Sequence, residues 1–253
     1  MKMRLAASAL ALMTSSAAAQ DAGRIVPDAV ATVSPALSAH LGQYLAEGRW
    51  GDEALSPRDR GLITFAALMT RHEADALAAH AELALDAGVT PAELSEAIAH
   101  LAFYTGVGNG FAAAEAVAPV FEARGIAPAD LPPAQAELLD YNEEAEAARQ
   151  DFVSSTYGDV SQGVVDDTQK LLFLDLWRRP GLAPRDRSMI TVAGLIAGGQ
   201  PEQMTFHLNR AMDNGLTKAE AGAMLSHLAY YAGWPKVFSA MPVAKKTFGD
   251  RAE

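Results

Sequence analysis

The feature that most constrains this chain is that it repeats itself. Leu55-Ser-Pro-Arg-Asp-Arg-Gly-Leu-Ile-Thr64 returns as Leu182-Ala-Pro-Arg-Asp-Arg-Ser-Met-Ile-Thr191, an offset of 127 residues. The register holds without a gap to the pair Gly106 and Gly233, and 21 of the 52 paired positions are identical. Ungapped identity of that extent marks a tandem duplication, so the fold must be one module built twice.

Each copy reads as helices. The first helix starts at Pro57, with Ser56 as N-cap and Asp59 inside the first turn; Ala183 replaces the serine in the second copy, a poorer cap. The next carries Leu77, His80, Leu83 and Ala84 and stops at Gly88, its twin at Gly215. Thr90-Pro-Ala-Glu93 and Thr217-Lys-Ala-Glu220 are capping boxes that open the third helix, which ends near Gly106 and Gly233. Further helices are expected over 110–123, 235–248, 35–47, 164–177 and, in the acidic stretch between the copies, 134–152. No segment alternates with a period of two, so the fold class is all-α.

Half of the residues are hydrophobic but only 7% are aromatic, which favours close helix packing. A net charge of −11 without any basic stripe excludes a nucleic-acid surface. Cysteine is absent, which removes thiol nucleophiles, disulfides and thiolate metal sites together. Lys2 and Arg4, an apolar run from Leu5 to Met13, and Ala17-Ala18-Ala19 read as a signal peptide cut before Gln20. The expected location is therefore periplasmic or secreted. No other stretch is long and apolar enough to span a membrane, so no membrane partner is expected. The boundaries drawn are a signal peptide over 1–19, a first module over 20–125, a linker with the acidic helix over 126–160, and a second module over 161–253.

Four of the six histidines form repeat pairs, His80 with His207 and His100 with His227. His80 and His207 fall on apolar, inward-facing stripes, where either a core role or a functional one is possible. Tyr104 and Tyr231 follow a histidine by four residues and share its helix face, either as a core pair or as pocket lining. The triplets Arg58-Asp59-Arg60 and Arg185-Asp186-Arg187 place cations in a first turn, where the helix dipole disfavours them. Arg58 and Arg185 read best as partners for acids of the neighbouring copy or of a neighbouring protomer; the other reading is that one arginine per copy clamps a carboxylate ligand. No carboxylate or imidazole lies one turn from His80 or His207, so neither a metal nor a cofactor is expected.

Leu176 to Thr191, Phe206 to Thr217 and Tyr231-Ala-Gly-Trp-Pro235, with their first-copy counterparts, resemble the carboxymuconolactone decarboxylase module. The resemblance implies two tandem AhpD-like helical modules and a ring-shaped homo-oligomer, with a trimer preferred for a tandem chain. It also implies a cofactor-free carboxy-lyase acting on a small carboxylate or lactone. The family's thiol peroxidases are set aside, because Glu73, Ala76, Gln200 and Gln203 stand where their cysteines would. In this reading His207 and His80 are the acids, Arg187 and Arg60 bind carboxylate, and Tyr231, Trp234 and His227 line the substrate site. The alternative is a non-catalytic ligand-binding or structural oligomer on the same scaffold. The fuller motif around the second copy, with Trp177, Pro180, Gly181, Trp234 and Pro235, points to His207 and Arg187 as the working pair. The first copy carries Val107, Gly108 and Gly110 there, expected to loosen its third helix.

Overall fold

A computed structural model describes residues 23–251; the segment 1–19, read above as a signal peptide, lies outside the described residues. In chain order the helices are α1 (Asp28–Val33), α2 (Pro35–His40), α3 (Pro57–Thr70), α4 (Ala74–Asp86), α5 (Pro91–Thr105), α6 (Val107–Ala123), α7 (Glu143–Tyr157), α8 (Gln162–Asp167), α9 (Pro184–Gly198), α10 (Met204–Asp213), α11 (Lys218–Ala232) and α12 (Trp234–Asp250). No strand occurs among the described residues. A π-helical stretch, Leu41–Arg49, continues α2, and Thr168–Phe173 continues α8.

The terminal chemistry behaves as the residues dictate. Ser56 accepts from the Asp59 backbone at 3.0 Å, whereas Ala183 offers α9 no side-chain cap. Both Thr/Glu capping boxes form, and Gly88 and Gly215 take positive φ at the ends of α4 and α10. Two expectations change. The acidic helix begins at Glu143 rather than at Ala134, because Asn142 is its N-cap and Leu139 is held extended, its N–H bonded to the Arg178 carbonyl at 2.8 Å. Gly110 does not loosen α5: it lies buried in α6, where a Cβ would come within 2.7 Å of the Ala102 Cβ.

The copies are not side-by-side domains. Helices α3 and α9, buried on every face from Asp59 to Met69 and from Asp186 to Ala197, pack against each other at the centre. Helix α5 packs more extensively on α9 of the other copy than on α3 of its own, and α11 likewise crosses to α3. Reciprocal ion pairs tie the starts of the central helices: Arg58 to Asp186 and Arg185 to Asp59, each at 2.7 Å. Each arginine also reaches a capping-box glutamate, Glu93 or Glu220. The cations that the helix dipole disfavours are thus held by acids of the opposite copy.

Helices α3 and α4 approach most closely at Gly61, where an added Cβ would lie 2.9 Å from the Ala84 Cα. Gly61→Ala should therefore cost roughly 1–3 kcal/mol despite alanine's better helix propensity. Urea unfolding should show a lower midpoint at unchanged slope; an unaltered or higher midpoint would contradict the packing described.

Candidate functional site

The exchange of third helices decides which histidines meet. His80 on α4 lies beside His227 and Tyr231 on α11, and Trp50 completes the group. His207 on α10 lies beside Tyr104 on α5 and Trp177, with His100 stacked behind the tyrosine. Each cluster therefore draws side chains from both copies. The geometry repeats: Trp50 Nε1 donates to the Tyr231 hydroxyl and Trp177 Nε1 to the Tyr104 hydroxyl, both at 2.8 Å. The inner histidines stack on their tyrosines, with centroids 5.1 and 4.9 Å apart. Their Nε2 atoms lie 2.7 Å from the hydroxyls of Thr64 and Thr191.

Hydrogen bonding sets the protons. Thr191 donates to the Arg187 carbonyl, so His100 must donate from Nε2 and leaves Nδ1 as an acceptor facing Arg187 Nη1 at 3.5 Å. His80 faces the Ala76 carbonyl through Nδ1 at 3.0 Å, so Nδ1 carries the proton and Nε2 is bare. That Nε2 is buried without a partner, as are His207 Nδ1 and His227 Nδ1. Burial pushes all four rings toward neutrality. It lowers His80; with the Arg210 charge it takes His207 to about 4, and with Arg60 nearby it takes His227 to about 3. His100 falls well below its ordinary value for the same reason. Burial raises Tyr104 to about 12 and Tyr231 likewise upward, so both hydroxyls keep their protons.

The clusters differ in what surrounds them. Trp177 is 2% exposed, stacked between-ring with His207 and Phe173, with the Arg210 guanidinium 4.4 Å from its centroid. Arg149 of α7 lies over Phe173, so the acidic helix roofs this side. At the other cluster Ala46 and Leu83 occupy the places of Phe173 and Arg210. There Trp50 and Arg60 line an open cavity of about 530 Å³.

Several sequence assignments are therefore redistributed. His227 and Tyr231 belong with His80, not with His207, because α11 crosses to α3. Arg187 is fully buried and bonded to Glu96 at 2.9 Å, which engages it before any ligand arrives. Arg60 is buried too, and donates to the carbonyls of Asp52 and Leu55. Trp234 is in neither cluster: it is half exposed, packs edge-on to Tyr230 and lines a separate apolar groove. A working site made from the second copy alone cannot exist in this geometry. Sequence reading missed Trp50, Thr64, Thr191, Glu96 and Arg210. Extending the 127-residue register a few positions before Leu55 would have set Trp50 opposite Trp177; the others carried no signal without the packing. Among the described residues no group of three or more His, Asp or Glu could hold a metal ion.

Residues 35–119 and 163–246 both match the model of the carboxymuconolactone decarboxylase family. The chain is 34% identical over 92 residues to the 4-carboxymuconolactone decarboxylase of Acinetobacter baylyi, covering 36% of this chain and 69% of that one. It is 37% identical over 79 residues to the nitrosuccinic acid decarboxylase of Metarhizium robertsii, covering 31% of this chain and 54% of that one. A solved structure from Burkholderia xenovorans, described as a gamma-carboxymuconolactone decarboxylase subunit, shares the fold at a TM-score of 0.55 and 17% identity. That likeness covers 94% of this chain and 96% of the other.

The depressed histidines make stability pH-dependent. Their folded values lie below the unfolded value, so the unfolded chain binds protons that the buried rings refuse. Stability is then complete above about pH 6.5 and is lost as pH falls toward about 4 for His207 and about 3 for His227. The full loss is on the order of 3–5 kcal/mol for each of these rings. Urea unfolding at a series of pH values should show this fall, and His227→Asn should flatten it; constant stability down to about pH 4 would contradict it.

Proposed function

Because the chain belongs to the carboxymuconolactone decarboxylase family, we propose that it is a cofactor-free decarboxylase-like enzyme acting on a small carboxylate or lactone. The observation that carries this reading is the bare, unpartnered Nε2 of His80, buried in a ring cluster with Tyr231 and with Trp50, which itself lines an open cavity. Loss of CO2 from a carboxylate conjugated to a carbonyl leaves an electron pair that delocalises onto the carbonyl oxygen. The Tyr231 hydroxyl accepts from Trp50, so its own proton is available to the developing enolate. His80 is neutral in the free protein because it is desolvated, but an anionic substrate beside Nε2 favours the imidazolium. The ring then delivers that proton to carbon as general acid. His227 stacks on Tyr231, and Arg60 lines the cavity.

The His207 cluster has the same parts but is roofed by Phe173 and α7, so turnover is assigned mainly to the His80 cluster. The test is CO2 release from 4-carboxymuconolactone and nitrosuccinic acid, the substrates in the relatives' names. His80→Ala should lower the rate about 10²–10⁴-fold, and His207→Ala should lower it far less, with both variants folded by circular dichroism. The reverse order would overturn the assignment, and equal small losses would point to a structural role for both.

The chain is further proposed to act outside the cytoplasm, after cleavage near Gln20, as a homotrimer. Supporting the oligomer, Phe103, Val107 and Phe111 are exposed in one copy, and Trp234 and Phe238, the counterparts of Val107 and Phe111, are exposed in the other. One native mass spectrum of protein from its producing cells reads both. A species of three chains starting near Gln20 is expected; a monomer sinks the oligomer, and an intact Met1 sinks export.

A further inference from the structure

The duplication supplies an internal comparison of what each central arginine holds. In the closed cluster, Arg187 Nη2 donates to Glu96 at 2.9 Å and to the Arg179 carbonyl at 2.8 Å. The other Glu96 oxygen accepts from Arg179 Nε at 2.9 Å, so this carboxylate, 2% exposed, bridges two guanidinium groups. In the open cluster, Arg60 keeps the matching backbone contact, because Asp52 stands where Arg179 does and its carbonyl accepts from Arg60. The carboxylate has no counterpart: the position of Glu96 is Ala223.

Arg60 is 4% exposed, yet no carboxylate bonds to it among the described residues. The two acids nearest in charge are committed elsewhere, Asp52 to Arg49 at 3.0 Å and Asp59 to Arg185 at 2.7 Å. Arg60 Nε is buried and unpartnered, as are His227 Nδ1 and His80 Nε2 in the same cluster. Arg187 Nε is unpartnered as well, but its group already carries a carboxylate on Nη2. A buried guanidinium without an anion costs several kcal/mol that a bound carboxylate would offset. Arg60 lines the cavity with Trp50 and Leu83; of the acids there, Asp86 is neutralised by Arg24 and Arg124, and Glu47 is exposed on the rim.

We propose that Arg60 is the anchor for a ligand carboxylate, which takes the part that Glu96 plays toward Arg187, and that Glu96 is an internal occupant keeping the second cluster from binding one. The proposal deepens the decarboxylase reading and rests on it for the substrate class. It assigns the two clusters different work: one is filled by the chain's own carboxylate, the other awaits one from solution. The nearest rival anchor is Arg210, whose guanidinium lies over Trp177 without an ion pair among the described residues.

The test is calorimetric titration of the full chain with succinate as probe. Wild type should bind it, and Arg60→Gln should weaken binding about 10- to 100-fold, as expected for a charge-assisted contact. Ala223→Glu, which restores the missing carboxylate, should weaken it comparably, while Ala223→Gln, of equal bulk, should weaken it much less. Arg210→Leu should leave it unchanged. Absence of binding by wild type, wild-type affinity in folded Ala223→Glu, equal losses in the Glu and Gln variants, or loss in Arg210→Leu would each overturn the proposal. A chain that binds at Arg60 but releases no CO2 sinks the reaction alone; turnover with succinate binding indifferent to Arg60→Gln sinks this site alone.

Discussion

Everything in this molecule depends on the packing of α3 against α9. Neither helix has a polar face, and each buries a first-turn Asp and Arg along with its apolar residues. A helix apolar all round is stable only when covered on every side. One copy lacks the helices to do this, so each central helix borrows the third helix of the other copy. The reciprocal pairs Arg58–Asp186 and Arg185–Asp59 fix the register of that exchange, since slipping either helix would leave buried charges unpaired.

The exchange also sets the chemistry. Carrying α5 and α11 across the centre brings each His-Tyr pair beside a histidine and a tryptophan of the opposite copy. Burial there is deep enough that the imidazoles lose their charge and the phenols keep their protons. Such groups are of little use as free acids, but they respond strongly to an incoming charge, because little water is present to screen it. Low local polarity thus turns two ordinary core histidines into groups whose protonation a ligand can control.

Duplication then allowed the clusters to part. Phe173 for Ala46, Arg210 for Leu83 and Glu96 for Ala223 are each a single change of side chain. Together they replace an open cavity with a covered, internally neutralised core. The closed cluster holds its own carboxylate between Arg179 and Arg187, whereas Arg60 of the open one has no carboxylate partner among the described residues.

Much of this was legible in the residues. The repeat, the all-α class, the capping boxes and the glycine stops follow from local chemistry and spacing, which act within a few residues; that Arg58 and Arg185 need acidic partners was legible too, but only packing decided that these acids belong to the other copy and not to another protomer. The start of α7 was misplaced because an extended segment bonded to Arg178 outweighed the helical pattern of 134–142. Which histidine faces which tyrosine was not legible. Spacing places His227 and Tyr231 on one helix face but is silent on what that face meets, which is His80 of the other copy. Nor could sequence reveal that Arg187 is spent on Glu96 while Arg60 has no carboxylate. The two arginines are identical in local sequence, and only the crossing of α5 and α11 sets a glutamate against one and an alanine beside the other. The sequence by itself determined the module and its doubling; the tertiary structure decided which cluster stays open, because burial and charge pairing depend on neighbours far apart in the chain.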